Sequence, residues 1–298
     1  MARIAVVGVG AIGGALAGFL EAAGGHQMTL CTRRPLGALT IKMPDSIVRV
    51  NVKNITDPAH AEPVDFVLVA TKTYDAEGAA RWFPALCAEG APVAIVQNGV
   101  EHRERLAPHL PPGMDLSHLL PVVIDCPVER AEDGTVLVRG AARMQVEDST
   151  LGAEFAALFA GSTAKIELTG DFITAAWWKL CVNSVGALSA LALKPCGVLW
   201  GKAMSRVVLE MVAESAAVGR AEGARLSNSL GDEVLTHYRS HPADSVNSLL
   251  ADRLAGRRME WDARNGAVVR KGEQHGIPTP LNRMAASLLE AVEDKAPW

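Results

Sequence analysis

The chain has 298 residues, of which 49% are hydrophobic, and its formal net charge is −4. This length and apolar content are enough to bury a sizeable core and leave room for more than one. Acidic and basic residues are mixed along the chain, with no run of Lys or Arg of the kind that binds nucleic acid or anionic lipid. The composition therefore favours a small molecule as the partner.

Five scattered cysteines, with no C-x-x-C pair and no cluster with histidine, are typical of a reducing cytosol. The uncharged stretch of residues 4–20 superficially resembles a signal peptide, but five glycines interrupt it and no A-x-A-like site follows. It is also shorter than the ~20 residues that span a bilayer. We therefore expect a cytoplasmic protein with no membrane segment, disulfide or metal site.

In the first half of the chain, short apolar runs alternate with helical stretches. Strands are predicted at residues 3–8, 26–32, 65–70 and 92–97, and helices at residues 12–23 and 75–86. Nearly continuous Val, Ile and Leu runs are typical of parallel strands that helices cover on both faces. The alternation predicts an α/β fold with a doubly wound, mostly parallel sheet.

The pattern changes in the second half. Residues 119–168 predict antiparallel hairpins around the Asp133–Gly134 turn, at an edge of the parallel sheet. Asp171 is a good N-cap for a long helix through Leu193. Further helices are predicted at residues 203–223, 228–238, 244–255, 259–275 and 280–292. We therefore predict a dinucleotide-binding domain over residues 1–169 and an all-α domain over residues 170–298.

The first predicted strand and helix are joined by a G-x-G-x-x-G pattern at Gly8, Gly10 and Gly13. In a dinucleotide-binding turn, these glycines allow a tight turn, close approach of a pyrophosphate, and close packing of helix on strand. The N–H groups at the helix start, including those of Ala11 and Ile12, then receive the anion. A glycine-rich turn of another α/β domain is the alternative, and the spacing between strand and helix favours the dinucleotide.

The type of dinucleotide is indicated about 20 residues past the fingerprint, at the end of the second predicted strand. An NAD enzyme usually has Asp or Glu there, whereas this chain has Thr32, Arg33 and Arg34. Guanidinium groups without a carboxylate favour the 2′-phosphate of NADP(H). One arginine is expected to be a solvated loop residue. Arg33 is the predicted ligand because it comes first after the strand.

Four polar residues stand where a site is expected. Lys72 and Asn98 follow two further predicted strands, although a surface lysine and a turn-forming Asn-Gly pair are the alternatives. Lys179 and Asn183 are four residues apart and project from one face of the predicted long helix. A lysine next to two tryptophans is expected to be partly desolvated, which suits proton transfer, unless its ammonium extends to solvent.

The whole set of motifs resembles the ketopantoate reductase (2-dehydropantoate 2-reductase) family. The matching pieces are GVGAIGG, ATKTYD, QNGVE, WWKLCVN, SLLADR, MEWDARNG and HGIPTP, and they extend along the full chain. The resemblance implies an N-terminal Rossmann domain, a helical C-terminal domain and an active site in the cleft between them. It also implies an oxidoreductase that uses NADPH to reduce 2-dehydropantoate to pantoate in pantothenate biosynthesis.

The resemblance implies the catalytic groups as well. Lys179 resembles the general acid that protonates the substrate carbonyl oxygen as the hydride arrives. Asn98 resembles a residue that lines nicotinamide and substrate. Glu260 resembles the acid that engages the substrate hydroxyl and the cofactor side. A cationic acid suits this chemistry, because negative charge develops on the oxygen in the transition state.

Substrate binding is assigned by the same resemblance. Lys72 resembles a residue that contacts cofactor and substrate, and Asn183 and Ser248 resemble substrate-binding residues, with Ser248 near the carboxylate. One departure is Ala187, which stands where ketopantoate reductases often have a second asparagine. Loss of an amide changes substrate discrimination more readily than it changes the reaction.

Two other functions stay open at this point. The chain is either a reductase of another carbonyl or imine, for which Ala187 is the motive, or a non-catalytic NADPH-binding sensor on the same fold. The sequence also does not decide between a monomer and a homodimer, because Trp261 and the late helices suit a core or a subunit contact equally.

Overall fold

The computed structural model of the protein describes residues 1–294. The chain divides into two compact units. The first unit consists of Met1–Gln97 and His102–Phe172, and the second consists of Asn98–Glu101 and the chain from Ile173 onward. The chain therefore passes from the first unit into the second at Asn98–Glu101 and then returns to the first. As a result Asn98, the polar residue after one of the predicted strands, belongs to the second, helical unit.

All the strands described within residues 1–294 belong to the first unit. In chain order they are β1 (Arg3–Val7), β2 (Gln27–Cys31), β3 (Leu39–Met43), β4 (Ser46–Val50), β5 (Lys53–Ile55), β6 (Phe66–Val69), β7 (Val93–Ile95), β8 (Leu119–Pro121), β9 (Val123–Asp125), β10 (Val128–Arg130), β11 (Val136–Val138), β12 (Arg143–Glu147) and β13 (Lys165–Thr169). The main sheet has the order β5-β2-β1-β6-β7-β8, and every pair in it is parallel. This is the strand order of a doubly wound dinucleotide-binding fold.

The helices are, in chain order, α1 (Ala11–Ala23), α2 (Ala76–Ala80), α3 (Phe83–Leu86), α4 (His102–Leu106), α5 (Thr150–Leu158), α6 (Phe172–Ala192), α7 (Lys202–Ala221), α8 (Leu230–Arg239), α9 (Ser248–Leu254), α10 (Ala267–Gln274) and α11 (Pro280–Glu293). A π-helical segment, Asp262–Gly266, leads directly into α10. None of the helices described within residues 1–294 is long and apolar enough to cross a membrane.

Both faces of the main sheet are buried, which explains its Val- and Ile-rich strands. Ile4 and Val6 of β1 lie in one apolar cluster with side chains of α1. Ala5 and Val7 point the other way, into a second cluster that includes Phe83 of α3. Because successive residues of a strand face opposite sides, a strand covered on both faces has to be apolar throughout. The predicted Rossmann fold is confirmed by this arrangement.

The prediction of an antiparallel edge on this sheet is wrong. The Asp133–Gly134 turn does join the antiparallel pair β10 and β11, but β11 pairs with β3 in a separate sheet of order β10-β11-β3-β4. A third sheet has the order β13-β12-β9. The predicted hairpin region also contains α5, which begins where the Ser149 hydroxyl accepts a hydrogen bond from the Gly152 N–H at 3.0 Å.

The predicted helix over residues 75–86 is in fact interrupted. It consists of a 3₁₀ turn, Thr73–Asp75, followed by α2 and α3. Pro84 in the first turn of α3 explains the break, because proline has no N–H to donate and its ring excludes the preceding helical turn. The predicted helix at 244–255 starts later, where the side chain of Asn247 accepts from the Leu250 N–H at 3.1 Å.

The second unit has its own apolar core, built mainly from α6, α7, α8 and α11. Trp177 of α6 is 1% exposed and packs against the position of Gly219 in α7, where an added Cβ would lie 3.0 Å from the ring. Val100, from the inserted segment, also packs on this core. The long amphipathic helices predicted from the sequence therefore bury their apolar faces against one another.

Candidate active site

The glycine turn of the first unit is shaped by two glycines and left open at the third. Gly8 has φ of 90°, and a Cβ there would lie 2.6 Å from the Thr71 methyl group. A Cβ on Gly13 would overlap the carbonyl oxygen of Gly8, whereas one on Gly10 would meet no atom within 4 Å. Gly8 and Gly13 are therefore required by packing. Gly10 instead leaves an open cradle in which a ligand can approach the backbone.

This open cradle lies at the N-terminus of α1. No side chain caps the helix, and its first turn contains no acidic residue. The first helical hydrogen bond is that from the Gly14 N–H to the Gly10 carbonyl at 3.0 Å. The N–H groups of Ala11, Ile12 and Gly13 precede it and so have no partner within the helix, which makes this turn a natural anion site.

Arg130 is a residue of this turn that the sequence reasoning missed. Its guanidinium donates to the Val9 carbonyl at 2.6 Å, although the two residues are 121 positions apart. The bond fixes the middle of the glycine turn from β10 and places a cation beside it. No local pattern could have indicated this, because the contact depends on how the second sheet packs on α1.

Arg33 lies just past the end of β2, as predicted. The loop is held by the Asn54 amide, which donates to the Thr32 hydroxyl at 2.8 Å, and that hydroxyl donates to the Arg34 carbonyl at 2.7 Å. The Arg33 side chain is 91% exposed and lies 3.9 Å from the Asp75 carboxylate. An exposed pair at this distance is weak. The guanidinium is thus available to a ligand at the carboxyl end of the sheet.

Lys72 lies at the equivalent end of β6, where it immediately precedes the Thr73–Asp75 turn and is half-buried. The neighbouring Thr71 is tied to the end of β7, because the Gln97 amide donates to its carbonyl at 2.9 Å and to its hydroxyl at 3.1 Å. Thr71 also packs against Gly8. The first unit thus brings together the segments after β1, β6 and β7, at the edge where such sheets bind ligands.

In the second unit, the Asn98–Glu101 segment is anchored at both ends. Gly99 has φ of 103°, and a Cβ there would lie 2.7 Å from the Ala263 carbonyl oxygen. Glu101 accepts two hydrogen bonds from Arg270, at 2.9 and 2.7 Å, and Arg270 also donates to Asp262 at 2.5 Å. The Asn-Gly pair is therefore more than a surface turn, because the glycine is needed for the close approach to the π-helical segment.

Three of the predicted site residues form one hydrogen-bonded chain in this unit. The Asn183 amide donates to the Asn98 side-chain oxygen at 3.1 Å, and the Asn98 amide donates to the Glu260 carboxylate at 3.3 Å. Glu260 is 4% exposed, whereas the two asparagines are half-buried. The chain joins residues from three separate segments, so that each fixes the orientation of the next.

Lys179 lies one turn before Asn183 on the same face of α6 and is half-buried. Of the two neighbouring tryptophans, Trp177 lies in the apolar core. Trp178 is half-buried and packs edge-on against His237, with ring centroids 5.9 Å apart. The two rings thus have different environments, and Trp178 is the one that reaches the surface beside the lysine.

Ser248, at the start of α9, has a partner that the sequence reasoning did not single out. Its hydroxyl accepts a hydrogen bond from the guanidinium of Arg264 at 2.8 Å. Arg264 lies in the π-helical segment and is 3% exposed. No local sequence pattern indicated this contact, because Ser248 and Arg264 lie on separate elements 16 residues apart.

Ala187 has no exposed surface and lies in the apolar core of the second unit. No group of three or more His, Cys, Asp or Glu residues within 1–294 is arranged to hold a metal ion.

A family model described as ketopantoate reductase PanE/ApbA matches residues 4–150, and its C-terminal counterpart matches residues 171–293. The chain belongs to the ketopantoate reductase family. The family resemblance inferred from the motifs and the predicted class of oxidoreductase are thereby confirmed.

Individual relatives match over almost the whole length. A 2-dehydropantoate 2-reductase from Caulobacter vibrioides is 44% identical over 98% of this chain and 99% of its own. A ketopantoate reductase structure from Ralstonia eutropha is 32% identical with a TM-score of 0.88, covering 98% of this chain and 99% of that one. A dimeric ketopantoate reductase from Staphylococcus aureus has the same fold, with 20% identity, a TM-score of 0.85 and 98% of each chain covered.

Proposed function

We propose that this protein is an NADPH-dependent 2-dehydropantoate 2-reductase, which reduces ketopantoate to pantoate. Membership of the ketopantoate reductase family supports the reaction. The observation that carries the proposal beyond the family is the hydrogen-bonded chain of Asn183, Asn98 and Glu260, on the same unit as Lys179. A protein that only binds a dinucleotide has no need of a second set of oriented polar groups.

The residues of the first unit fit a nicotinamide dinucleotide. The open cradle at Gly10 and the uncapped first turn of α1 suit a pyrophosphate, and Lys72 lies at the end of a neighbouring strand. Arg33, exposed at the end of β2, would bind a 2′-phosphate and so select NADPH over NADH. When bound, the reduced nicotinamide supplies the hydride.

The second unit would bind the keto acid and supply the proton. In our proposal Lys179 donates a proton to the carbonyl oxygen, and its positive charge stabilises the negative charge that develops there. Asn98 and Asn183 would orient the substrate, and Glu260 would accept a hydrogen bond from the substrate hydroxyl. Because each of these three side chains is held by the next, little reorganisation is needed on binding.

The proposed domain roles follow the same division. Residues 1–169 would form the NADP-binding domain and residues 170–298 the substrate domain, with Asn98 contributed to the latter by the inserted segment. A cytoplasmic location, a place in pantothenate biosynthesis and a homodimer remain predictions from the sequence.

The proposal is tested with purified protein, NADPH and NADH in parallel, and a panel of 2-keto acids, simple ketones and imines, by following the loss of reduced-nicotinamide absorbance. We expect ketopantoate with NADPH to give the highest kcat/KM. Lys179→Met should lower kcat by about 10³-fold, within the range for loss of a general acid. Lys194→Met, which removes an exposed lysine after the same helix, is the matched control and should leave kcat unchanged.

Three results would each contradict part of the proposal. Tight NADPH binding without turnover of any compound in the panel would favour a sensor. A higher kcat/KM for an imine or another carbonyl would keep the reductase but change its substrate. Near wild-type turnover by Lys179→Met would remove this lysine from the role of acid.

A further inference from the structure

One arginine side chain links the inserted segment, Asn98–Glu101, to the π-helical segment, Asp262–Gly266. The guanidinium of Arg270, in α10, donates to both carboxylate oxygens of Glu101, at 2.9 and 2.7 Å. It also donates to the carboxylate of Asp262 at 2.5 Å and to the backbone carbonyl of the same residue at 2.9 Å. A planar guanidinium fixes direction as well as distance in such bonds. Arg270 therefore determines where Glu101 lies relative to Asp262.

The carboxylate of Glu101 is the buried member of this cluster. Its side chain is 11% exposed, whereas those of Arg270 and Asp262 are 39% and 40% exposed. The hydrogen bonds to Glu101 raise the pKa of Arg270 above its ordinary value. Removing one member of a buried ion pair is far more costly than losing an exposed pair, because the other charge stays buried. Loss of Arg270 would thus favour movement of the Glu101 carboxylate toward water, and of its segment with it.

The two segments are also packed closely at two glycines. A Cβ on Gly99 would lie 2.7 Å from the Ala263 carbonyl oxygen. A Cβ on Gly266 would lie 3.0 Å from the Asp262 carboxylate and 3.2 Å from the Arg270 guanidinium. Glycine is thus present at the point where the backbones approach and at the point where the ion cluster lies. Backbone packing and the ion cluster therefore fix the same short stretch of chain.

The residue that this stretch carries into the candidate site is Asn98, three positions before Glu101. Its side chain accepts from Asn183 at 3.1 Å and donates to Glu260 at 3.3 Å. Both distances are long for N–H···O bonds, so that a displacement of about 1 Å would break them. The orientation of Asn98 is therefore sensitive to any movement of the segment at Glu101.

We propose that Arg270 is a positioning residue, which holds Asn98 in the orientation needed for turnover by fixing Glu101 against the π-helical segment. The inference rests on the proposed function, in which Asn98 orients the substrate, and adds a residue that acts through Asn98. A misplacement of about 1 Å in a reacting arrangement costs about 10²-fold in rate. The effect of losing Arg270 should therefore fall on kcat more than on KM.

The test compares wild type with Arg270→Met, which keeps most of the side-chain volume and removes the charge. Both are assayed with ketopantoate and NADPH at a temperature where circular dichroism shows them to be folded. We expect kcat to fall by about 10- to 100-fold and KM for ketopantoate to change by less than about 3-fold.

Arg283→Met is the matched control for removal of an arginine from an ion pair with α10. Arg283, in α11, donates to Glu273 of α10 at 2.7 Å, and both side chains are more than half exposed. An exposed pair contributes little. This variant should therefore keep the wild-type kcat and KM.

A double-mutant cycle separates positioning of Asn98 from a general loss of structure. Asn98→Ala should lower kcat by itself. If Arg270 acts through Asn98, Arg270→Met should lower kcat by less than about 2-fold further in the Asn98→Ala background. Equal fold-losses in the two backgrounds would show that Arg270 acts independently of Asn98, and would overturn the inference.

Amide hydrogen exchange gives a readout that does not depend on turnover. Arg270→Met should speed exchange at least about 10-fold in peptides that cover residues 98–101, because the segment is then held by fewer contacts. Arg283→Met should leave exchange in those peptides as it is in wild type. Unchanged exchange in Arg270→Met would overturn the inference, since the segment would then be held without the arginine.

The outcomes distinguish this inference from the proposed function. If wild type turns over no compound of the panel, or if Asn98→Ala keeps the wild-type kcat, the proposed function or its role for Asn98 fails, and the inference with it. If Asn98→Ala lowers kcat and Arg270→Met does not, only the inference is overturned. Should Arg270→Met fail to fold, Arg270→Lys keeps the charge but not the planar fork, and we expect about a 5-fold fall in kcat. An unchanged kcat in that variant would also overturn the inference.

Discussion

The two units present their candidate functional groups in different ways. In the first unit the binding turn is made of backbone, and the glycines determine its shape because they have no Cβ atom. In the second unit the candidate site is made of side chains, which come from the inserted segment, α6, α9 and the π-helical segment and hold one another by hydrogen bonds. A site made of backbone depends on the absence of side-chain atoms that would clash with it. A site made of side chains depends on the hydrogen-bond partners that orient them. Substitutions in the first unit should therefore act by adding atoms that clash, and those in the second unit by removing hydrogen-bond partners.

The largest effect is expected for Gly13→Ala in the first unit. The added Cβ would overlap the Gly8 carbonyl oxygen, which is backbone and has no rotamer to move into. We expect a loss of about 3 kcal/mol or more in the free energy of unfolding, measured by denaturant titration. Cofactor affinity should be lost along with it, because the turn and the helix start would both shift.

Gly10→Ala is the matched comparison in the same turn. A Cβ there meets no atom within 4 Å, and the φ of −84° lies outside the left-handed region that favours glycine. The free energy of unfolding should fall by about 1 kcal/mol or less, because glycine is preferred over alanine at a helix N-cap. The NADPH affinity, followed by nucleotide fluorescence, should fall by at least about 10-fold if the open cradle holds the pyrophosphate. Unchanged affinity would show that this cradle is not the phosphate site.

A smaller effect is expected where the first unit does rely on side chains, at the end of β2. Arg33→Gln should lower kcat/KM for NADPH by about 10- to 100-fold, as for loss of a charge-assisted hydrogen bond, and leave that for NADH unchanged. Arg34→Gln is the control, since it removes the neighbouring exposed guanidinium. If Arg34→Gln has the larger effect, the two arginines exchange roles. If neither variant changes the NADPH preference, the 2′-phosphate is held elsewhere.

The comparison also explains how much could be predicted from the sequence. The main sheet was predictable because strands buried on both faces are apolar throughout, and the G-x-G-x-x-G turn was predictable because each glycine has its own steric reason. Strands β3, β4 and β5 were missed, β8 was predicted in an antiparallel hairpin although it is parallel to β7, and the antiparallel pair β10 and β11 was assigned to the wrong sheet. Those strands are short, and β3 joins β11 across a long stretch of chain, which local periodicity cannot detect.

In the second unit the helices were predicted better than the contacts between their side chains. The spacing of Lys179 and Asn183 placed both on one face of α6, as the structure has them. The link from Asn183 through Asn98 to Glu260 could not be derived, because it depends on the inserted segment joining the helical unit. Arg264 was overlooked because a helical pattern gives no sign of a π-helical segment, which rotates the following side chains out of the expected register.

The smallest effect concerns a buried titratable group of the first unit, and it contrasts with the buried charge of Arg264. His102 is 4% exposed, and its ring Nε2 donates to the Gln97 carbonyl at 3.0 Å. Burial lowers the pKa of His102 below the ordinary value of 6.5, because it disfavours the charged form of the ring. The buried ring N–H of His102 thus has a hydrogen-bond acceptor within the protein.

The sign of the pH effect follows from proton binding. Below pH 6.5 the unfolded chain binds a proton at this histidine more readily than the folded protein does. The neutral buried ring therefore lowers the free energy of unfolding as the pH falls below 6.5, and it has no such cost above that pH. The loss amounts to at most about 1.4 kcal/mol for each pH unit. His102→Gln can still donate to Gln97 but does not titrate. The difference in unfolding free energy between wild type and His102→Gln should therefore shift in favour of the variant between pH 7.5 and 5.5. A constant difference for His102→Gln would mean that His102 titrates alike in both states.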